Sequence, residues 1–314
     1  MRLIQSRAMV STPPIVQSPL RGIALRFLAI ALLAGMTALV KLVSQRGVTL
    51  VETMFFRQAF AVPAILAWTA LGPGIRTLRT QRLGRHFTRT MIGTAGMFGT
   101  LGAVFLLPLA EATTLQFTVP IFATILSTIM LKEVAGIHRW GAVLVGFAGV
   151  LIVVHPGQQG HFPLIGGLVG LYAAAMVALV AIQLRDLGRT EPSTTTAFWF
   201  SVLSVPMLGL IYPFFARSHD PATWSMIAAI GLVGGFGQIA LTAALRWAPV
   251  SAVVPMDYSG MIWATLFGWL LFDALPTPST WLGAPLIMAS GLYIVWREHK
   301  LNRSNVETAI AAAD

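Results

Sequence analysis

The stretch Ile92-Gly-Thr-Ala-Gly-Met-Phe-Gly99 returns later in the chain as Ile230-Gly-Leu-Val-Gly-Gly-Phe-Gly237. The echo belongs to a longer duplication. Met36-Thr-Ala-Leu-Val40 reappears as Met176-Val-Ala-Leu-Val180, and Phe60-Ala-Val-Pro63 as Leu203-Ser-Val-Pro206. Gly141, Leu144, Gly149, Ile152 and Val153 align with Gly283, Leu286, Gly291, Ile294 and Val295. The register holds at about 140 residues across the whole chain. Two copies of one unit therefore make up the protein, and what each copy consists of decides the fold.

Each copy consists of membrane spans. Apolar residues make up 56% of the 314-residue chain and charged residues only 10%, against about 25% charged in a soluble domain. Runs of about 20 apolar residues, each able to cross roughly 30 Å of hydrocarbon, are predicted ten times. They lie near 21–43, 48–71, 90–109, 112–131, 140–154, 163–184, 196–215, 224–245, 251–272 and 280–296. The expected organisation is a tail over 1–20, one five-span repeat over 21–154, a second over 163–296 and a tail over 297–314. The Pro- and Gly-containing stretch His155–Phe162 forms the seam between them.

The net charge of +10 is distributed by loop. Arg2, Arg7 and Arg21 lead, followed by Arg76, Arg79, Arg82, Arg85 and Arg89. Lys132, Arg139, Arg185, Arg189, Arg246, Arg297, Lys300 and Arg303 continue the series, while the alternate loops hold only Arg46 and Arg217. Lys and Arg gather on the cytoplasmic side of membrane proteins, so both termini are expected in the cytoplasm of a multi-pass protein of the inner membrane. The basic balance then reports topology, and nucleic acid is not an expected partner. Met1–Pro19 lacks the compact apolar region of a cleavable signal. The chain has no cysteine, which removes disulfides and thiolate chemistry, and neither a metal nor another cofactor is expected.

Five spans are an odd number, so the second copy must enter the membrane upside down relative to the first. The expected fold class is thus all-α: ten transmembrane helices as two inverted five-helix repeats around a central cavity. Such pairs usually rock between two mirrored states and hold their substrate near the midplane. Gly93, Gly96, Gly99 and Gly102 in the third span, and Gly231, Gly234, Gly235 and Gly237 in the eighth, suit close helix packing or a cavity lined by backbone. Pro63, Pro120, Pro206 and Pro255 fall inside spans, where each removes a helical hydrogen bond and invites a kink.

A family resemblance adds to this. Pro120-Ile-Phe-Ala-Thr-Ile-Leu-Ser-Thr-Ile-Met-Leu-Lys-Glu133 is followed by Trp140-Gly141 and Gly146-Phe-Ala-Gly149. The second copy gives Pro255-Met-Asp-Tyr258, Trp263-Ala264, Gly268-Trp269, Phe272-Asp273, Gly283 and Gly291. This paired pattern resembles the EamA-type branch of the drug/metabolite transporter superfamily from about residue 21 to 297. Asp273 stands where that family more often has glutamate, and Gly260 takes the register of Pro120. The resemblance implies ten helices in two inverted repeats and the movement of small organic metabolites. It does not name a cargo, because the superfamily carries amino acids, nucleoside-like compounds, vitamins and sugar phosphates.

Charges within spans are the sharpest functional lead, since each costs about 2.5–3.5 kcal/mol at the bilayer centre on the translocon scale. Arg57, about 13 Å into the second span, and Asp257, about 9 Å into the ninth, are read as an opposite pair facing the cavity. Such a pair would bind an amphoteric cargo such as an amino acid, a nucleoside derivative or a vitamin-like compound. The bland alternative is a structural ion pair between the two spans. Asp257 is also the candidate proton site, protons being the possible coupling ion. Tyr258, Gln116, Gln238, Thr118 and Ser259 are candidate cavity lining, and the deep Trp263 is a candidate to stack on an aromatic cargo. Lys41 and Glu52 are read as a surface pair, an outer gate or snorkelling groups, Glu111 as solvated, and Glu133 and Asp273 as loop-shaping residues. A monomer would suffice to enclose a cavity, and a homodimer is equally open. A sensor or chaperone is the rival class. An intramembrane enzyme is disfavoured, because His86, His138, His155, His161, His219 and His299 all fall in loops or the tail and no nucleophile–base constellation or metal cluster is legible in the spans.

Overall fold

The computed structural model describes residues 19–72, 74–130, 136–154, 163–188, 190–247 and 254–311. The 1–18 tail, the segment holding Lys132 and Glu133, the 155–162 seam and the start of the ninth predicted span lie outside these. The described residues form helices α1 (Pro19–Gln45), α2 (Leu50–Leu71), α3 (Leu83–Leu106), α4 (Leu109–Gln116), α5 (Val119–Met130) and α6 (Ile137–Val154). The second half gives α7 (Leu164–Leu187), α8 (Ser193–Ile211), α9 (Pro221–Trp247), α10 (Gly260–Phe272) and α11 (Pro278–Ala311). Among the described residues there is no strand.

Among the described residues, eight segments are long and apolar enough to cross a membrane, α4 and α5 counting as one. Two of the ten predicted spans do not qualify on that measure. The third is α3, which begins at Leu83 rather than near 90 and so carries Arg85, His86 and Arg89 in its first turns. The ninth is broken, a 3-10 stretch over Val254–Ser259 giving way to the thirteen-residue α10.

The fourth span is broken too, at Phe117 and Thr118 between α4 and α5. Pro120 follows that break as the second residue of α5, where a missing N–H costs nothing. Pro255 lies within the 3-10 stretch of the ninth span, so both prolines sit at breaks. Pro63 and Pro206 sit inside unbroken α2 and α8. α10 ends at Asp273, whose left-handed backbone (φ 50, ψ 32) lets Asp273 N–H and Ala274 N–H bond back to Trp269 and Gly268 carbonyls. An aspartate tolerates that conformation better than most residues. The loop-shaping role expected of Asp273 is thus carried by its backbone.

Helix packing repeats with the sequence. α1 lies chiefly against α9, and α3 against α7. The glycines of the echoed motif make both contacts. A Cβ on Gly96 would lie 3.1 Å from Met176 Cβ, and one on Gly234 would lie 2.7 Å from Met36 Sδ. Likewise Gly99 faces Tyr172 and Ala173 as Gly237 faces Leu32 and Leu33, and Gly93 faces Phe200 as Gly231 faces Phe60. Every partner in the second copy is the residue 140 positions after its counterpart in the first. Lipid tails are as apolar as the side chains, so burial does not drive these helices together. Close van der Waals approach does, and a missing Cβ permits it.

Two further pairs join equivalent helices. α2 meets α8 head to tail: Thr49 Oγ1 donates to the Phe215 carbonyl at one end (3.4 Å), and Thr195 Oγ1 donates to the Thr77 carbonyl at the other (2.6 Å). α6 and α11 run antiparallel as well, with Gly149 beside Gly283 and His138 beside Tyr293. A Cβ on Gly283 would stand 2.5 Å from the Gly149 carbonyl oxygen.

Polar clamps close both ends of the α2–α8 pair. At one end the buried Glu52 accepts Thr49 N–H in a capping box and Arg217 N–H (both 2.8 Å), and contacts His219 Nε2 at 3.1 Å. Arg46 and Asp220 flank it at 3.9 Å. At the other end Glu191 engages His86 and Thr80, and Arg82 pairs with Asp186 at 2.7 Å. Glu52 and Glu191 open equivalent helices. The Arg–Asp pairs also occupy equivalent places with their charges exchanged.

Three readings of charged residues are corrected here. Lys41 neither snorkels nor meets Glu52; its Nζ donates to the Phe105 and Leu107 carbonyls (3.2 and 3.0 Å), which the end of α3 leaves without helical partners. Glu111 is not solvated but fully buried, accepting Thr277 N–H and Thr280 Oγ1–H (3.1 and 3.2 Å). His86, assigned to a loop, is a buried member of α3.

Candidate functional site

A cavity of about 270 Å³ opens at the centre of the bundle. Its walls come from α1, α2 and α3 of the first copy and from α7, α8 and α9 of the second. Gly93, Gly96, Gly231, Gly234 and Gly235 bring backbone to its surface, so the echoed motif both packs helices and shapes the space between them. Thr37, Thr100, Ser201 and Gln238 supply neutral polar groups, while Ile65, Leu101, Val177 and Val180 supply apolar wall.

The charge in the cavity is cationic. Arg57 reaches it from α2, its Nη1 donating to Met97 Sδ at 2.8 Å and its Nε to Met36 Sδ at 3.4 Å. Thioether sulfur is a weak acceptor, so these contacts position the guanidinium without neutralising it. Arg89 reaches the same space from α3 with its guanidinium carbon 3.9 Å from the centre of the Phe200 ring, a cation–π contact. The Arg89 Nε and Nη1 atoms, like Gln58 Nε2 of the same cavity wall, are buried without a hydrogen-bond partner. Gly93 makes this geometry possible, because a Cβ there would lie 2.9 Å from Phe200 and 3.1 Å from Arg89 Nη1. Among the described residues lining the cavity there is no Asp or Glu.

Of the eight residues singled out from sequence for the cavity, Arg57 and Gln238 line it. The other six do not. Asp257 is held by Arg26 of α1, whose Nε and Nη2 each reach one carboxylate oxygen at 2.6 Å. The expected Arg57–Asp257 pair is therefore replaced by Arg26–Asp257, which ties the broken ninth span to α1. Both oxygens of Asp257 are engaged there, away from the cavity. The reason is geometric: similar depth along two helices says nothing about the faces they present.

Tyr258 is buried against Phe117, ring centres 5.0 Å apart, with its hydroxyl in the space a Gly291 Cβ would fill. Trp263 packs between Phe27 and Phe267 (5.4 and 6.1 Å). Gln116 closes α4 at the break of the fourth span. Tyr258 instead borders a second, mostly apolar hollow of about 510 Å³ with Phe27, Trp281 and Met288. Arg26 and Arg89 are the residues that the sequence reading missed. Arg26 lay within the first predicted span as an unremarked charge, and Arg89 was counted as a loop cation one residue before the third.

Comparison with known proteins fits this architecture. The model of the EamA-like transporter family matches the chain twice, over residues 20–155 and 164–296. The chain belongs to the EamA-like transporter family, and it is a multi-pass membrane protein. It is 30% identical over 262 residues to a riboflavin transporter of Vibrio cholerae, covering 82% of this chain and 87% of that one. It is 26% identical to a pseudopaline exporter of Pseudomonas aeruginosa (86% and 94% covered) and 25% identical to an S-adenosylmethionine uptake transporter of Rickettsia bellii (79% and 84%). A crystal structure of a protein with 20% identity superposes with a TM-score of 0.59 over 89% of this chain and 98% of that one, a likeness of fold.

Proposed function

We propose that this chain is a secondary transporter that moves a small polar organic metabolite across the bacterial inner membrane by alternating access. The observation that carries the reading is the central cavity, walled by three helices from each copy and bearing buried arginines. Two inverted five-span repeats account for the equivalent helices α2 and α8, and α6 and α11, running antiparallel. In this reading α3 and the broken ninth span complete a set of ten, and the loop charges put both termini in the cytoplasm. The Arg57–Asp257 pair from which an amphoteric cargo was inferred loses its acidic half to Arg26, which leaves a cargo read by cations and neutral polar groups.

Riboflavin is the first cargo to test, being named for relatives from Vibrio cholerae, Rhizobium johnstonii and Brucella anthropi. The purified protein in proteoliposomes should exchange labelled riboflavin, or a member of a vitamin, nucleoside and amino-acid panel, across the bilayer. Arg57→Gln should lower that exchange at least tenfold. A folded protein that exchanges no member of the panel would turn the reading towards a sensor or chaperone.

A further inference from the structure

Resting on the transport reading, we propose that the cavity is built for a metabolite bearing an anionic oxygen group, a carboxylate or a phosphate, clasped between Arg57 and Arg89. Two guanidinium groups, Arg57 from α2 and Arg89 from α3, line one confined cavity. Like charges buried together are retained where something of opposite sign joins them. Among the described residues, no lining side chain supplies that sign. Arg57 rests on two sulfurs, and Arg89 rests on an aromatic face.

The unfilled donors point the same way. Arg89 Nε and Nη1 and Gln58 Nε2 are buried N–H groups of the cavity wall with no acceptor. Buried donors are almost always satisfied, and water could satisfy them without offsetting the charge. One oxyanion answers both needs, since a planar guanidinium fork matches two oxygens of a carboxylate or phosphate. Phe200 behind Arg89 and the sulfurs behind Arg57 hold the forks in place without consuming their charge. The rest of the cargo then meets Thr37, Thr100 and Gln238 on the polar wall and Leu101 and Val177 on the apolar one.

The second copy does not repeat this feature. The residues 140 positions after Arg57 and 138 after Arg89, following the register of the echoed motif, are Ala197 and Ile227. Around this cavity the packing is duplicated and the charge is not. The arginines are therefore not required by the repeat architecture, which leaves binding as their role.

Inorganic phosphate is the probe for the test. Melting curves of the purified full chain are recorded as sodium phosphate replaces sodium chloride at constant ionic strength, for wild type, Arg57→Gln, Arg89→Gln and Arg89→Lys. General salt exclusion acts on all four proteins alike. Specific binding adds a saturable rise in wild type. Its half-saturation concentration should increase at least about tenfold in each Gln variant, the loss expected for hydrogen bonds to a charged group. Should a Gln variant fail to fold, Arg89→Lys keeps the charge without the fork and should bind phosphate measurably more weakly than wild type. A shift equal in all proteins, or no saturable shift in wild type, overturns the proposal.

Uptake by proteoliposomes separates this failure from failure of the transport reading. Riboflavin exchange that proceeds undiminished in excess riboflavin 5′-phosphate would leave a transporter standing and remove the anion. Inhibition by the 5′-phosphate that disappears in Arg89→Lys supports the clasp.

Discussion

The imidazole of His219 lies 3.1 Å from the carboxylate of Glu52, a fully buried acid that also holds the N–H groups of Thr49 and Arg217. One side chain thereby fastens the start of α2 to the segment leading into α9. Its counterpart, Glu191, fastens the start of α8 to the start of α3 through His86. Replacing Glu52 with Ala strands three donors, and breaking a buried charged contact of this kind costs about 3–5 kcal/mol. Both Glu52→Ala and Glu191→Ala should lower the melting temperature by several degrees. Glu52→Gln, which keeps an acceptor, should lose clearly less. Equal loss from Gln and Ala would show that charge, not hydrogen bonding, holds the clamp.

Gly283 and Gly149 bring two backbones together where α6 crosses α11. An added Cβ at Gly283 meets a carbonyl oxygen at 2.5 Å, which no rotamer change can relieve. Gly283→Ala should therefore push the helices apart and cost about 1–3 kcal/mol. Gly141→Ala on the same α6 is the control, because nothing lies within 4 Å of its added Cβ. Melting temperatures of the two variants should differ by several degrees, and indistinguishable values would contradict the packing.

Arg26 and Asp257 form a pair that a double-mutant cycle can weigh. Each single change, Arg26→Gln or Asp257→Asn, removes a charge-assisted bidentate contact worth about 1.5–3 kcal/mol and leaves one charge unpaired. The double mutant should lose less stability than the two single losses summed. Full additivity would mean that the two groups do not act as a unit.

Much of this arrangement was readable from residues alone, and the gaps have a common cause. The duplication and the place of Arg57 within a span follow from periodicity and depth, but nothing in the sequence separates Pro120 and Pro255, which sit at breaks, from Pro63 and Pro206, which do not. Depth did not reveal direction. Asp257 sits at a plausible level to meet Arg57 but turns toward α1, where Arg26 waits about two turns into the helix. Charges near helix ends were the harder cases. Arg89, Glu111 and Lys41 occupy positions from which a long side chain reaches either the water or the bundle interior, and a one-dimensional reading defaults to water. Glu111 turned inward because the 277–280 segment offers it donors, and Arg89 because Gly93 leaves it room beside Phe200. The 277–280 segment is far in sequence from Glu111, whereas Gly93 stands one helical turn from Arg89.

Arg57 and Arg89 both stand on helices of the first copy. If the halves rock against each other, these two groups move as one body, and the second copy contributes walls that part and close. A solute held by its charge is then a passenger of one half for the entire crossing. Its handle never changes hands, so it leaves one doorway in the same orientation in which it entered the other, and a stereoisomer rejected at loading is rejected in the reverse direction as well.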